Sequence, residues 1–122
     1  MFGFLLDLFK PKTPRAPAIT SEASMSFELE DIHPFLIGLT NNPRFGLPTA
    51  FTCCIVDALP DLSDTSRRRW KVDGSFDGQA MQLEIEILMH DPDAPDLTFF
   101  SSAGVIEEID RELSDFADAR EV

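Results

Sequence analysis

Residues 67–88 read RRRWKVDGSFDGQAMQLEIEIL, and the register of this stretch decides the fold. It holds two Asp-Gly pairs, Asp73-Gly74 and Asp77-Gly78, and either could close a two-residue hairpin turn. With Asp77-Gly78 as the turn, Phe76 faces Gln79, Val72 faces Leu83 and Trp70 faces Ile85, which makes one apolar side. On the other side Lys71 then faces Glu84 and Arg69 faces Glu86, two pairs of opposite charge. A turn at Asp73-Gly74 would set Trp70 against Asp77. Only the first register satisfies both faces at once, with each cross-strand pair contributing about 0.2–1 kcal/mol. The sequence therefore predicts a hairpin over 67–89.

Working outward, His90 to Asp96 reads as a loop and Leu97–Phe100 as a third strand of the same meander. Upstream, Met25, Phe27 and Leu29 alternate with Ser24, Ser26, Glu28 and Glu30, the period of a half-buried strand, so 25–30 is a candidate for a further strand. Asp31 is placed to cap a short helix through Leu39, with Pro34 tolerated in its first turn and Asn41-Asn42-Pro43 ending it. Residues 48–59 fit two descriptions. Phe51, Cys54, Ile55, Ala58 and Leu59 have helical spacing, whereas Thr52, Ile55 and Val56 are β-branched and suit a buried strand. The spacing favours helix. At the C-terminus Ser101 or Ser102 caps a last helix with a buried stripe of Ile106, Ile109, Leu113 and Phe116. Glu107, Glu108, Asp110, Glu112, Asp115 and Asp118 then form an acidic outer face, with Glu107 and Arg111 a favourable i,i+4 pair. The fold class expected is α+β. An antiparallel sheet packs against a C-terminal amphipathic helix and one or two central helices.

The domain plan has three parts. Residues 1–10 form an amphipathic segment, with Phe2, Leu5, Leu6 and Phe9 at helical spacing. Residues 11–24 are a proline-rich linker, and 25–122 are one globular α+β domain. A chain of 122 residues with 43% hydrophobic content can bury a single core. No stretch reaches the ~20 apolar residues of a membrane-spanning helix. The first ten residues are too short for a secretory signal and lack its basic leading region. The two cysteines, Cys53 and Cys54, are adjacent and poorly placed to bond to each other. A reducing, cytoplasmic setting is expected.

Charge is unevenly spread. Residues 1–17 carry Lys10, Lys12 and Arg15 against Asp7, a net of +2, while residues 73–122 carry fourteen acids against Arg111 and Arg120, a net of −12. That field repels nucleic acid and attracts cationic partners.

Candidate chemistry is sparse. His90 with Asp91, Asp93 and Asp96 is the most metal-like cluster, yet it lacks the glycine turn and final glutamate of a calcium loop, and Asp-Pro pairs are ordinary turn chemistry. Cys53 and Cys54 sit among apolar residues and are expected in the core, where burial leaves thiols inert. RRRWK resembles a nucleic-acid patch in composition, but the hairpin register gives Arg69 and Lys71 acidic partners and turns Trp70 inward. Only Arg67 and Arg68 are then left over. FFSSAG, leading into the last helix, is a weak anion site beside so many acids. There is no nucleophile elbow, phosphate loop or C-x-x-C.

The expectation is a non-enzymatic, acidic protein-interaction module with no cofactor and no direct contact with nucleic acid. It would be an adaptor, a chaperone or an inhibitor of a basic partner, in the manner of an immunity protein or a DNA mimic. Its binding residues would be Phe2, Leu5, Leu6 and Phe9 at the tip and Glu108, Glu112 and Asp115 on the last helix. Two alternatives stay open: a peripheral membrane protein held by residues 1–10, and a small metal-dependent enzyme. Self-association is a further option for the tip.

Overall fold

A computed structural model describes residues 17–62, 67–89 and 93–120. The expected amphipathic segment at 1–10 lies outside them, as do His90 and Asp91.

The hairpin forms as read. β3 (Arg67–Phe76) pairs antiparallel with β4 (Gln79–Leu88), with Trp70 opposite Ile85, Val72 opposite Leu83 and Phe76 opposite Gln79. The turn residues Asp77 and Gly78 have φ of 52° and 82°. Positive φ at both positions is the backbone of the tight hairpin turn that follows the right-handed twist of the strands. Asp73-Gly74, the rejected turn, lies inside β3 and serves another purpose. A Cβ on Gly74 would stand 2.5 Å from the carbonyl oxygen of Gly46. Gly46 belongs to β2 (Phe45–Gly46), a two-residue strand on the outer edge of β3. Glycine lets the two backbones approach.

On the other side of β4 lies β5 (Asp96–Ser101), the expected third strand, extended by one residue at each end. β1 (Ser21–Ser26) pairs with β5, and the sheet is antiparallel throughout in the order β1-β5-β4-β3-β2. The upstream strand is therefore real but sits earlier than the 25–30 expected, and it takes in residues 21–24 of the expected linker. Its pairing stops where β5 starts, with Ser26 opposite Asp96. Phe27 stays buried and its N–H donates to the Pro95 carbonyl at 2.9 Å, after which the chain coils into a 3-10 turn over Leu29–Asp31. Leu29, expected to point inward, is 43% exposed. The alternation in sequence outran the partner strand that would have made it meaningful.

Among the described residues three α-helices supply the second layer: α1 (Ile32–Asn41), α2 (Thr49–Ala58) and α3 (Ala103–Arg120). Residues 48–59 are thus helical, with a second 3-10 turn at Leu59–Asp61. α1 buries Ile32, Phe35, Leu36 and Leu39, the i, i+3, i+4, i+7 stripe. α2 buries Phe51, Thr52, Ile55 and Ala58, and its Thr52 hydroxyl meets that of Thr40 on α1 at 3.3 Å. α3 buries Val105, Ile106, Ile109 and Leu113. These stripes close on Val72, Met81, Leu83, Ile85, Ile87, Leu97 and Phe99 in a single core. Phe27, Phe35, Phe99 and Phe116 form an aromatic chain through it, with centroids 5.1–5.9 Å apart.

Ser102 precedes α3 and its carbonyl accepts the Ile106 N–H at 3.0 Å. Ser101 closes β5 instead, its hydroxyl donating to the Gln82 carbonyl at 2.6 Å. Asp31 stands at the head of α1 as expected, but its side chain makes no capping bond there.

Candidate functional site

The acidic helix has two kinds of carboxylate. Glu107, Asp110, Asp115 and Asp118 are exposed, and none of the four has an ion-pair partner among the described residues. Glu108, expected on the same outer face, is not there. It is 6% exposed and is held from three directions. Asn42 donates to its Oε2 at 2.9 Å, while Arg44 and Arg111 donate to its Oε1 at 2.8 and 2.5 Å. The reason is angular: at ~100° per residue Glu108 falls about 60° beyond Val105, on the margin of the buried stripe, where α3 meets the end of α1. Glu112, one turn on, is half-buried and also accepts from Asn42, at 2.8 Å. Of the three acids assigned to partner binding, only Asp115 is exposed. Arg111 bonds to Glu108 at i−3, rather than to Glu107 at i−4.

Asn42 and Arg44 were not singled out from the sequence, yet they tie this corner together. Asn42, at the C-cap of α1, also accepts the Arg44 N–H on its Oδ1 at 2.9 Å. Arg44 grips Asp77 with two parallel bonds, Nε to Oδ1 at 2.9 Å and Nη2 to Oδ2 at 2.8 Å, and lies 4.6 Å from the centre of the Phe76 ring. The Arg44 carbonyl accepts the Asp77 N–H at 2.8 Å. Such fork-to-fork pairs are strong and directional. The bond to Asp77 raises the pKa of Arg44, and the same bond lowers that of Asp77. Helix end, hairpin turn and last helix are pinned at one point. The arrangement is one of satisfied bonds, with no buried side-chain donor or acceptor left over among the described residues.

The basic run on β3 is also engaged. Arg69 reaches both Glu84 at 3.1 Å and Glu86 at 3.4 Å, and lies 4.3 Å from the centre of the Phe100 ring. Arg67 stands 3.8 Å from Glu86, and Arg68 stacks over Trp70 at 5.3 Å. Arg67 and Arg68, expected to be left over, thus have local partners, and Glu84 bonds to Arg69 rather than to Lys71 across from it.

Cys53 and Cys54 are both exposed, which corrects the expected burial. With Phe51, Thr52, Ile55 and Ala58 inward, the intervening pair must face out. Cys54 borders a cleft of about 360 Å³ shared with Phe51, Trp70 and Val72. Of the metal-like loop, Asp93 and Asp96 are described, and the Asp96 carboxylate accepts the Ser26 hydroxyl across β1–β5. Among the described residues no group of three or more His, Cys, Asp or Glu could hold a metal ion. No described helix is long and apolar enough to cross a membrane.

Compared with protein-family models, curated proteins and solved structures, the chain has no significant match.

Proposed function

We propose that this α+β protein is a non-enzymatic interaction module that binds a basic protein partner through the outer face of α3. The observation that carries the reading is the separation of the acids on that helix. Glu108 and Glu112 are committed to the internal network, whereas Glu107, Asp110, Asp115 and Asp118 are exposed without internal partners among the described residues. A rigid helix that presents unneutralised carboxylates, on a chain of net charge −12, favours fast, charge-steered encounter with a cationic surface. The exposed negative charge supports an inhibitor that occupies a nucleic-acid-binding surface, as a DNA mimic would.

The test is affinity capture from the native cell with the full chain and with the variant E107Q/D110N/D115N/D118N. The reading expects one cationic protein, retained by the native chain, lost by the variant and released as ionic strength rises. A specific partner held equally by both proteins, and indifferent to salt, would overturn it.

A further inference from the structure

The two edges of the described sheet are built differently. β2 closes one edge with two residues, bounded by Pro43 and Pro48, and offers little to a further strand. β1 closes the other with six residues, SEASMS, which include no proline, no basic side chain and a single charge, Glu22. Strand edges are ordinarily blunted by such devices, because unpaired N–H and C=O groups recruit another strand.

The ladder fixes which groups are unpaired. Phe27 donates its N–H to the Pro95 carbonyl at 2.9 Å, in continuation of the β1–β5 register. In an antiparallel pair such bonding positions recur at every second residue. Ser21, Ala23 and Met25 therefore direct their main-chain groups to β5, whereas Glu22, Ser24 and Ser26 direct theirs away from the sheet. Those three residues are exposed, and no described main-chain group outside the ladder bonds to theirs. Ala23 and Met25 are half-buried on the core side.

We propose that a second copy of the chain adds at this edge, β1 against β1 in antiparallel register, with the two-fold axis through Ser24. Parity and charge select that register. Only Glu22, Ser24 and Ser26 can exchange bonds across the edge, so the axis must pass through a residue. An axis at Glu22 sets that carboxylate against its own copy, and an axis at Met25 sets it against Glu28. An axis at Ala23 pairs Ser26 with Thr20, whose N–H already goes to the Ser101 carbonyl at 3.0 Å. With the axis at Ser24, Ser24 pairs with itself and Glu22 pairs with Ser26 on either side, three pairs of two bonds each, and no like charges are opposed. Ala23 then faces Met25 of the second copy on the core side, so sheet and core continue across the axis. The same strand serves in both copies, so association closes at a pair.

The assignment goes beyond the partner reading and leaves the α3 acids to the partner. Its salt dependence is also opposite: two bodies of net charge −12 repel, so pairing strengthens as ionic strength rises. The test uses the full chain carrying C53S and C54S, since both cysteines are exposed. Sedimentation equilibrium from micromolar to millimolar concentration is expected to show the mass rising from 13.6 kDa towards twice that value, at lower concentration when salt is added. In an equal mixture of isotope-labelled and unlabelled chains, a filtered NOE is expected between the Hα of Ala23 in one copy and the Hα of Met25 in the other. These protons are too far apart within one extended strand to give that signal. Ser24→Pro removes an N–H that points away from the sheet, a change an edge strand tolerates, and should leave a folded monomer. Should that variant fail to fold, the contact in the unsubstituted strand decides alone. A chain that stays monomeric throughout, a pair without the Ala23–Met25 contact, a pair that folded Ser24→Pro retains, or one that salt weakens would each overturn the proposal.

Discussion

Glu108 illustrates how one position can leave the role its neighbours suggest. Three carboxylates in the first turns of α3 look alike in sequence, yet a 100° step decides which is desolvated, and the desolvated one needs donors. Asn42, Arg44 and Arg111 provide them. Asn42→Ala removes two donors from two carboxylates and an acceptor from the Arg44 N–H, at a buried site. A loss of about 1–3 kcal/mol in urea unfolding is expected, more than an exposed Asn would cost. Asp77 offers a check by pH. Its folded pKa lies below the ordinary 3.8, chiefly through the Arg44 bond. The stabilisation it confers is therefore complete above the unfolded value and is lost as pH falls through the lower folded one. Asp77→Asn keeps a side chain suited to positive φ while removing the charge. Native protein should exceed this variant in thermal stability at neutral pH, and the two curves should converge as the pH drops below 3.8. Curves that stay parallel through that range would show that the ion pair does not stabilise the fold.

Among the elements, the hairpin was legible because everything that defines it lies within 22 residues: two turn candidates, one alternating pattern and two charge pairs to choose between them. The place of α1 and the stripe of α3 were legible for the same local reason. β2 was not. Two residues carry no periodicity, and Phe45-Gly46 is a strand only because Gly74 lets it come close. The Asn42–Arg44–Asp77–Glu108 network depends on that strand and joins positions up to 66 residues apart, so no local pattern marks it. The cysteines were misplaced for a related reason. Apolar neighbours in sequence say that a segment is buried on one side, without saying which side. Both hairpin glycines can be tested. Gly78→Ala must hold a Cβ at φ of 82° and should cost about 1–2 kcal/mol. Gly74→Ala meets the Gly46 carbonyl at 2.5 Å, backbone that cannot rotate away. A loss of about 1–3 kcal/mol is expected by thermal unfolding, with amide shifts concentrated at Phe45 and Gly46. Shifts confined to β3 and β4 would show that β2 does not depend on this glycine.

For the molecule as a whole, sheet and helices form two layers around one core, and charge rather than cavities distinguishes its surfaces. The arginines of the basic run on β3 are engaged in place by Glu84, Glu86, Trp70 and Phe100, while α3 holds four exposed acids that nothing described offsets. On the function proposed above, a cationic partner would be steered to that helix, and the internal network would keep the helix fixed when it arrives. Hydrogen–deuterium exchange on the captured complex reads this most directly. Protection should rise on α3 and on the segments touching its outer face, with the α1–hairpin corner already protected before binding. Protection confined to the Trp70 cleft or the open face of the sheet, with α3 unchanged, would contradict the account.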